Sequence, residues 1–272
     1  MYELLDSYAP ISLAEMGGIR LMNRTDTKFV TTENKLLKLL SKAKDGYYVQ
    51  QVDGVRVGDY YTLYFDTPDH DMYLAHHNGR MSRQKLRIRS YMNTPLNFLE
   101  VKTKNNHCRT KKVRIELYDF NRTAGNGTAE ERCSPMAMTG SRDVGDFLRQ
   151  HLRYDPTAML PSIENRFNRI TLVNKGRTER LTIDSRVRFH NVHNDARMCL
   201  NGIVIIELKR DGLAHSPILD MLRDLRIMPM GFSKYCMGMA MTDDSIKRNL
   251  FKQRLHRIER MSVQAAGTQQ NQ

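Results

Sequence analysis

Long apolar runs are missing from this chain. No stretch approaches the ~20 residues that span a bilayer. Met1 to Gly18 carries acidic residues where a secretory leader has its apolar core. Both absences predict a soluble, cytoplasmic protein. Cysteine is sparse: Cys108, Cys133, Cys199 and Cys236 stand far apart, with neither metal-ligand nor redox spacing. They read as free thiols of a reducing compartment. Repeats of solenoid type are absent, and nothing mid-chain reads as a long linker, so the 272 residues are expected to form one β-rich domain. Acid is in short supply, with 43 Lys and Arg against 30 Asp and Glu, a net charge of +13. That excess favours polyanionic partners. A sequence-specific nucleic-acid interface is disfavoured, because the basic residues fall at strand spacing beside acids and no recognition helix or aromatic platform accompanies them. The 40% of apolar residues is enough for a core and excludes wholesale disorder.

Charge is concentrated between residues 80 and 116. Successive side chains of a strand point to opposite faces. Lys85, Arg87 and Arg89 then share one face, with Leu86 and Ile88 behind them. Glu100, Lys102 and Lys104 repeat the scheme against Leu99 and Val101, and Lys112, Arg114 and Glu116 against Val113, Ile115 and Leu117. Three neighbouring strands each carry a line of cations, which suits a surface that holds an anion.

Residues 19–30 read as a further strand, with Arg24, Asp26 and Lys28 alternating with Thr25, Thr27 and Phe29. Thr32 is placed to cap a helix to about Ala43. Tyr60 to Phe65 is a strand closed by the Asp66-Thr67-Pro68-Asp69 turn, and 71–79 a short helix or loop. Its adjacent histidines, His76 and His77, cannot readily share a metal. Residues 121–140, rich in Gly, Ser, Thr and Asn, read as a surface excursion. Helices are expected at 141–152 and, from the Ser216-Pro217 start, to about Leu225. A hairpin joins 164–173 to 179–187, placing Phe167, Arg169 and Thr171 on one face and Arg180, Thr182 and Asp184 on another. Ile203 to Arg210 is a last strand carrying Glu207 and Lys209. A basic helix is expected over 243–261 and a disordered tail over 262–272, leaving 1–242 as the main domain.

Together these strands predict a mainly β, α+β fold: a closed antiparallel barrel with a charged lumen, its apolar outside sheathed by helices. Each cation–phosphate contact at 4 Å contributes ~1 kcal/mol in water and ~4 kcal/mol in a partly screened site, so converging cations would bind a triphosphate strongly. A Mg²⁺ or Mn²⁺ there takes one or two carboxylates. Glu207 is the first choice, with Glu100 and Glu116 as alternatives.

The set Arg24-Thr-Asp-Thr-Lys28, Lys85-Leu-Arg87-Ile-Arg89, Glu100-Val-Lys102, Lys112-Val-Arg114, Phe167-Asn-Arg169, Arg180, Glu207-Leu-Lys209 and Phe232-Ser233-Lys234-Tyr235 resembles the VTC domain. This is the polyphosphate polymerase domain of the vacuolar transporter chaperone complex, within the triphosphate tunnel metalloenzymes. The resemblance covers about residues 10–240. It implies an antiparallel tunnel and ATP-dependent transfer of the γ-phosphoryl group to polyphosphate with Mn²⁺ or Mg²⁺. By position, Lys28, Arg87, Arg89, Lys102, Lys112, Arg169 and Arg180 would grip the triphosphate beside Phe167. Glu207, with Glu100 as the alternative, would hold the metal, and Lys234 would be the key catalytic lysine with Ser233 beside it. Arg24-x-Asp26-x-Lys28 stands where tunnel hydrolases carry Glu-x-Glu-x-Lys, which points away from the hydrolase branch. Phe167 replaces a usual tyrosine, and Gly231 a usual lysine. The family's eukaryotic members carry regulatory and membrane domains, so a separate membrane partner is expected here. A tunnel triphosphatase and a non-catalytic polyphosphate or nucleotide sensor are the competing functions.

Overall fold

Alternation in the sequence becomes alternation in burial: β5 (Arg83–Tyr91) switches between half-buried and fully buried at every residue. A computed structural model describes residues 2–17, 24–107, 109–118, 142–212 and 215–269. The remaining strands are β1 (Ala9–Ile11), β2 (Arg24–Thr32), β3 (Tyr47–Gln50), β4 (Gly58–Asp66), β6 (Asn97–Lys104), β7 (Thr110–Glu116), β8 (Leu160–Asn174), β9 (Glu179–Asn191), β10 (Arg197–Cys199) and β11 (Ile203–Asp211). The main sheet runs β2-β11-β9-β8-β4-β5-β6-β7, with β3 and β10 added beside β8 and β9. All its pairings are antiparallel except β1 with β3.

The helices are α1 (Tyr2–Asp6), α2 (Leu13–Gly17), α3 (Glu33–Ala43), α4 (Asp71–His77), α5 (Arg142–His151), α6 (Pro217–Asp224), α7 (Lys234–Thr242) and α8 (Lys252–Gln269). Three of them cover the sheet's apolar side, as the sequence predicts. Leu36, Leu39 and Leu40 of α3 join Ile218 and Leu222 of α6 over Ile170, Leu181, Ile183 and Ile206. Val144 and Leu148 of α5 join the cluster that holds Leu86, Ile88, Leu99 and Val101. With one face covered by apolar helices, the charged residues are confined to the other.

Several expectations need correction. The sheet is not closed into a barrel: among the described residues β2 and β7 are its terminal strands and do not pair. Thr32 sits at the N-cap of α3, but its hydroxyl caps nothing. The Glu33 N–H donates instead to the Gly202 carbonyl at 3.0 Å. Asp243 and Asp244 do not start the last helix, because a 3₁₀ turn at Asn249–Phe251 intervenes. The last helix is α8, which runs to Gln269 through most of the expected tail. Residues 19–23 of the expected second strand, the excursion 121–140, Cys108, Cys133 and the tail residues 270–272 lie outside the described residues. Cys199 and Cys236 are free thiols, the first exposed and the second buried.

Helix α7 has no counterpart in the sequence reading. It buries residues all around its circumference, Tyr235 to Ala240 without a gap, and so shows no amphipathic stripe to recognise. Gly238 lets it sit tight against β8 and β9. A Cβ there would lie 2.6 Å from Ile163 Cδ1 and 2.7 Å from Phe189 Cδ1. Gly238→Val should therefore destabilise the fold by about 1–3 kcal/mol through overpacking, read as a lower denaturation midpoint in urea. An unchanged midpoint would mean that α7 is not packed this closely.

Candidate functional site

Strand pairing sets the site. Lys85, Lys102 and Lys112 are direct neighbours across β5, β6 and β7. Arg87 lies between Tyr64 and Glu100 on adjacent strands. Arg169 lies opposite Asp184, and Glu207 opposite Lys28. Like charges placed directly opposite destabilise a sheet, so this face is built at a cost.

Two buried carboxylates offset part of that cost. Glu100, 1% exposed, accepts from Arg87 Nε at 2.7 Å and from Lys112 Nζ at 2.8 Å. Burial would raise its pKa, but Arg87, Arg89 and Lys112 outweigh it and lower it to about 2. Asp184, 3% exposed, accepts from Arg169 Nε and Nη2 at 2.6 and 2.8 Å and pairs with Lys234. Burial opposes its ionisation too, and Arg169 and Lys234 prevail, holding it at about 2. The sequence groups Asp184 only with Arg180 and Thr182 on one face of their strand, and neither its pairing with Arg169 nor its anchoring of Lys234 is legible there. A carboxylate's partners become visible only when β9 meets α7.

The cations outnumber these anchors. Among the described residues, Lys28, Lys85, Arg89 and Lys102 form no ion pair with a carboxylate. Lys28 donates to the Phe232 carbonyl at 3.0 Å, and Lys85 to Ser233 Oγ at 2.7 Å. Ser233 also caps α7 through the Cys236 N–H. The N-terminal residue of that helix is Lys234. Burial pulls the Lys85 and Lys234 ammonium groups down, and brings Lys102 and Lys209 to about 8. Arg89 falls to about 10, through burial and then Arg87 and Arg169. Tyr64 moves the other way: burial would raise its phenol, yet Arg87, Arg89 and Lys85 bring it down to about 8. The whole face is poised for negative charge.

Phe167 offers its ring to two of these cations. Lys234 Nζ lies 4.3 Å and Arg169 Cζ 5.2 Å from its centroid, and the Tyr60 ring stacks on it at 5.3 Å.

A cavity of about 1070 Å³ opens onto this face. Lys28, Lys102, Glu207 and Ser233 line it, as do Lys85, Arg83, Lys104, Arg109 and His76. Arg87, Arg89, Arg169 and Lys234 stand outside that wall, within the ion-pair and cation-π network. Lys112 is the least enclosed of the set, its side chain 43% exposed. Arg180 lies opposite Lys209 across β9 and β11. His77 is buried structurally, accepting the Leu250 N–H on Nε2 at 3.2 Å. His76 is held neutral by burial and the cations around it.

Glu207 fits a metal better than Glu100. Both Glu100 oxygens are taken by cations. Glu207 accepts no hydrogen bond among the described residues, and its nearest cation is Lys209 at 3.6 Å. Burial resists its ionisation, but Lys28, Lys209, Arg169 and Lys102 hold its pKa far below the usual range. No cluster of three His, Cys, Asp or Glu side chains occurs among the described residues. A hard divalent cation here would draw its other ligands from phosphate oxygens and water.

The lysines give a pH dependence. Lysine titrates near 10.4 when unfolded, so between about pH 8 and 10 the folded form binds fewer protons and the contribution of Lys102 and Lys209 to stability rises with pH. Anion binding changes in the opposite sense as the same protons leave. Calorimetric titration with tripolyphosphate should show affinity falling through a midpoint near pH 8. A flat profile would place those lysines away from the ligand.

In comparisons with known proteins, no curated protein matches the chain. Two solved structures are similar in outline. One is a Hippeastrum protein, a candidate adenylyl cyclase with a dominant triphosphatase activity. It is 14% identical, with 82% of this chain and 98% of that chain covered and a TM-score of 0.48. The other is a candidate adenylate cyclase from Bacillus halodurans, 15% identical, with 78% and 96% covered and a TM-score of 0.47. The VTC domain profile matches residues 23–242, most of the chain and every strand that builds the charged face. This chain belongs to the VTC domain family.

Proposed function

We propose that this protein is a polyphosphate polymerase that transfers the γ-phosphoryl group of ATP to a polyphosphate chain. The observation that carries the reading is the convergence of unpaired cations on one cavity that also holds an ionised, hydrogen-bond-free Glu207. Phosphoryl transfer is mostly positioning and charge neutralisation, and needs no protein nucleophile. A terminal oxygen of the chain attacks the γ-phosphorus. The bond to the β,γ-bridging oxygen breaks, and ADP leaves with the electron pair.

Lys28 and Lys102, which line the cavity, would hold the triphosphate, with Arg87, Arg89 and Arg169 adding their charge from behind the wall and Lys112 and Arg180 at its margins. Lys234 has three donors, of which Asp184 engages one, leaving others for the transferring phosphoryl oxygens. Ser233 positions Lys85 and the start of α7. Glu207 would hold Mn²⁺ or Mg²⁺, which would neutralise phosphate charge when bound. The cavity's cations continue past this centre through Arg83, Lys104 and Arg109. That extension suits a chain longer than a triphosphate, and favours a phosphate acceptor over water. No helix among the described residues is long and apolar enough to cross a membrane.

Lys234→Ala should reduce ADP formation by at least about a hundredfold, on the scale of losing one preorganised electrostatic contact, with circular dichroism unchanged. Retained turnover would remove Lys234 from the mechanism. Glu207→Gln should weaken metal-dependent turnover more than metal-free tripolyphosphate binding, and equal losses would count against metal ligation. The wild-type ratio of orthophosphate to ADP separates the acceptors: near zero for a polymerase, near one for a triphosphatase.

A further inference from the structure

The C-terminal helix α8 lies wholly beyond residue 242, where the family match ends. Even so, its first turn reaches the cavity: Arg254 lines the same wall as Lys28, Lys85, Lys102 and Glu207. The wall beneath it is bare at Gly231, and that glycine has no left-handed φ to explain its choice. A Cβ built there would lie 3.9 Å from Arg254 Cζ and 4.0 Å from Nη2. The guanidinium thus stands in van der Waals reach of any side chain at position 231.

Arg254 is also without a carboxylate partner: among the described residues it has no ion pair and no hydrogen bond. Its contact is with the Phe251 ring, 5.6 Å from the centroid. A guanidinium carries five donors in a planar fork suited to phosphate. Here that fork is half-buried at a cavity already rich in unpaired cations, and its charge reaches His76 on the cavity wall. Like charges gathered at one cavity repel, and an anion placed between them relieves that repulsion.

We propose that Arg254 is a phosphate-binding residue of the cavity, beside the place that Gly231 leaves empty, and that α8 is thereby part of the substrate site. Its ligand is the phosphate chain of the bound substrate. The proposal rests on the reading of the cavity as a polyphosphate site. It assigns a binding role outside the matched domain.

The test is tripolyphosphate binding by calorimetry in the full chain. Arg254→Ala should weaken affinity about ten- to a hundredfold, between the value of one cation–phosphate contact in water and that of one in a partly screened site. Arg260→Ala removes the same charge from an exposed position on the same helix, and should change affinity less than about twofold if only bulk charge is altered. Gly231→Lys in the Arg254→Ala background restores a cation to the same space and should recover most of the loss. If wild type binds and both arginine variants bind equally well, Arg254 has no such role although the cavity reading stands. If Gly231→Lys rescues nothing while Arg254→Ala is weak and unfolds early, the arginine is merely structural. If wild type itself does not bind tripolyphosphate, the cavity reading fails first.

Discussion

Lys85, Lys102 and Lys112 standing side by side on three paired strands is the constraint on which the rest of this structure depends. A sheet does not place cations in register without a compensating charge. Burial sharpens the problem, because half-enclosed ammonium groups lose their water. The two lysines brought down to about 8 show how far that desolvation acts. Glu100 and Asp184 supply part of the compensation and, in doing so, fix Arg87 and Arg169 in place. What they leave uncompensated is the binding energy available to an anion.

The fold concentrates this charge through its coverage. Helices α3, α5 and α6 seal the apolar side, so the polar residues of eight strands have only the opposite side to occupy. Helix α7 then enters from that side and delivers Ser233 and Lys234 to the charged strands. Gly238 sets how closely it can approach. Packing and electrostatics meet at one helix, and a change that lifts α7 should disturb Lys234 before it disturbs the sheet.

Much of this was legible in the chain itself. Period-2 alternation located β5, β6, β7 and β11 and assigned the right residues to the charged side, because each strand is apolar on one face only. Leucine spacing found α3, and the Ser216-Pro217 start found α6. What escaped lacked periodicity or depended on distant partners. Helix α7 is apolar all round, so no stripe marks it. The anchoring of Lys234 by Asp184 joins residues far apart in sequence. Closure was overestimated, since alternation reports which face a side chain takes and not whether the first and last strands pair. The stop at Met261 was drawn from a loss of pattern, yet the helix continues to Gln269 on intrinsic propensity and packing, with Ala265 close against Gly202.

The central claim is that this cavity builds phosphate chains. The most direct measurement incubates the purified protein with ATP and Mn²⁺ and resolves the products by chain length on a gel. The account predicts a ladder of lengthening polyphosphate that accumulates with ADP. Orthophosphate and ADP in equal amounts, with no ladder, would contradict it and leave a triphosphatase.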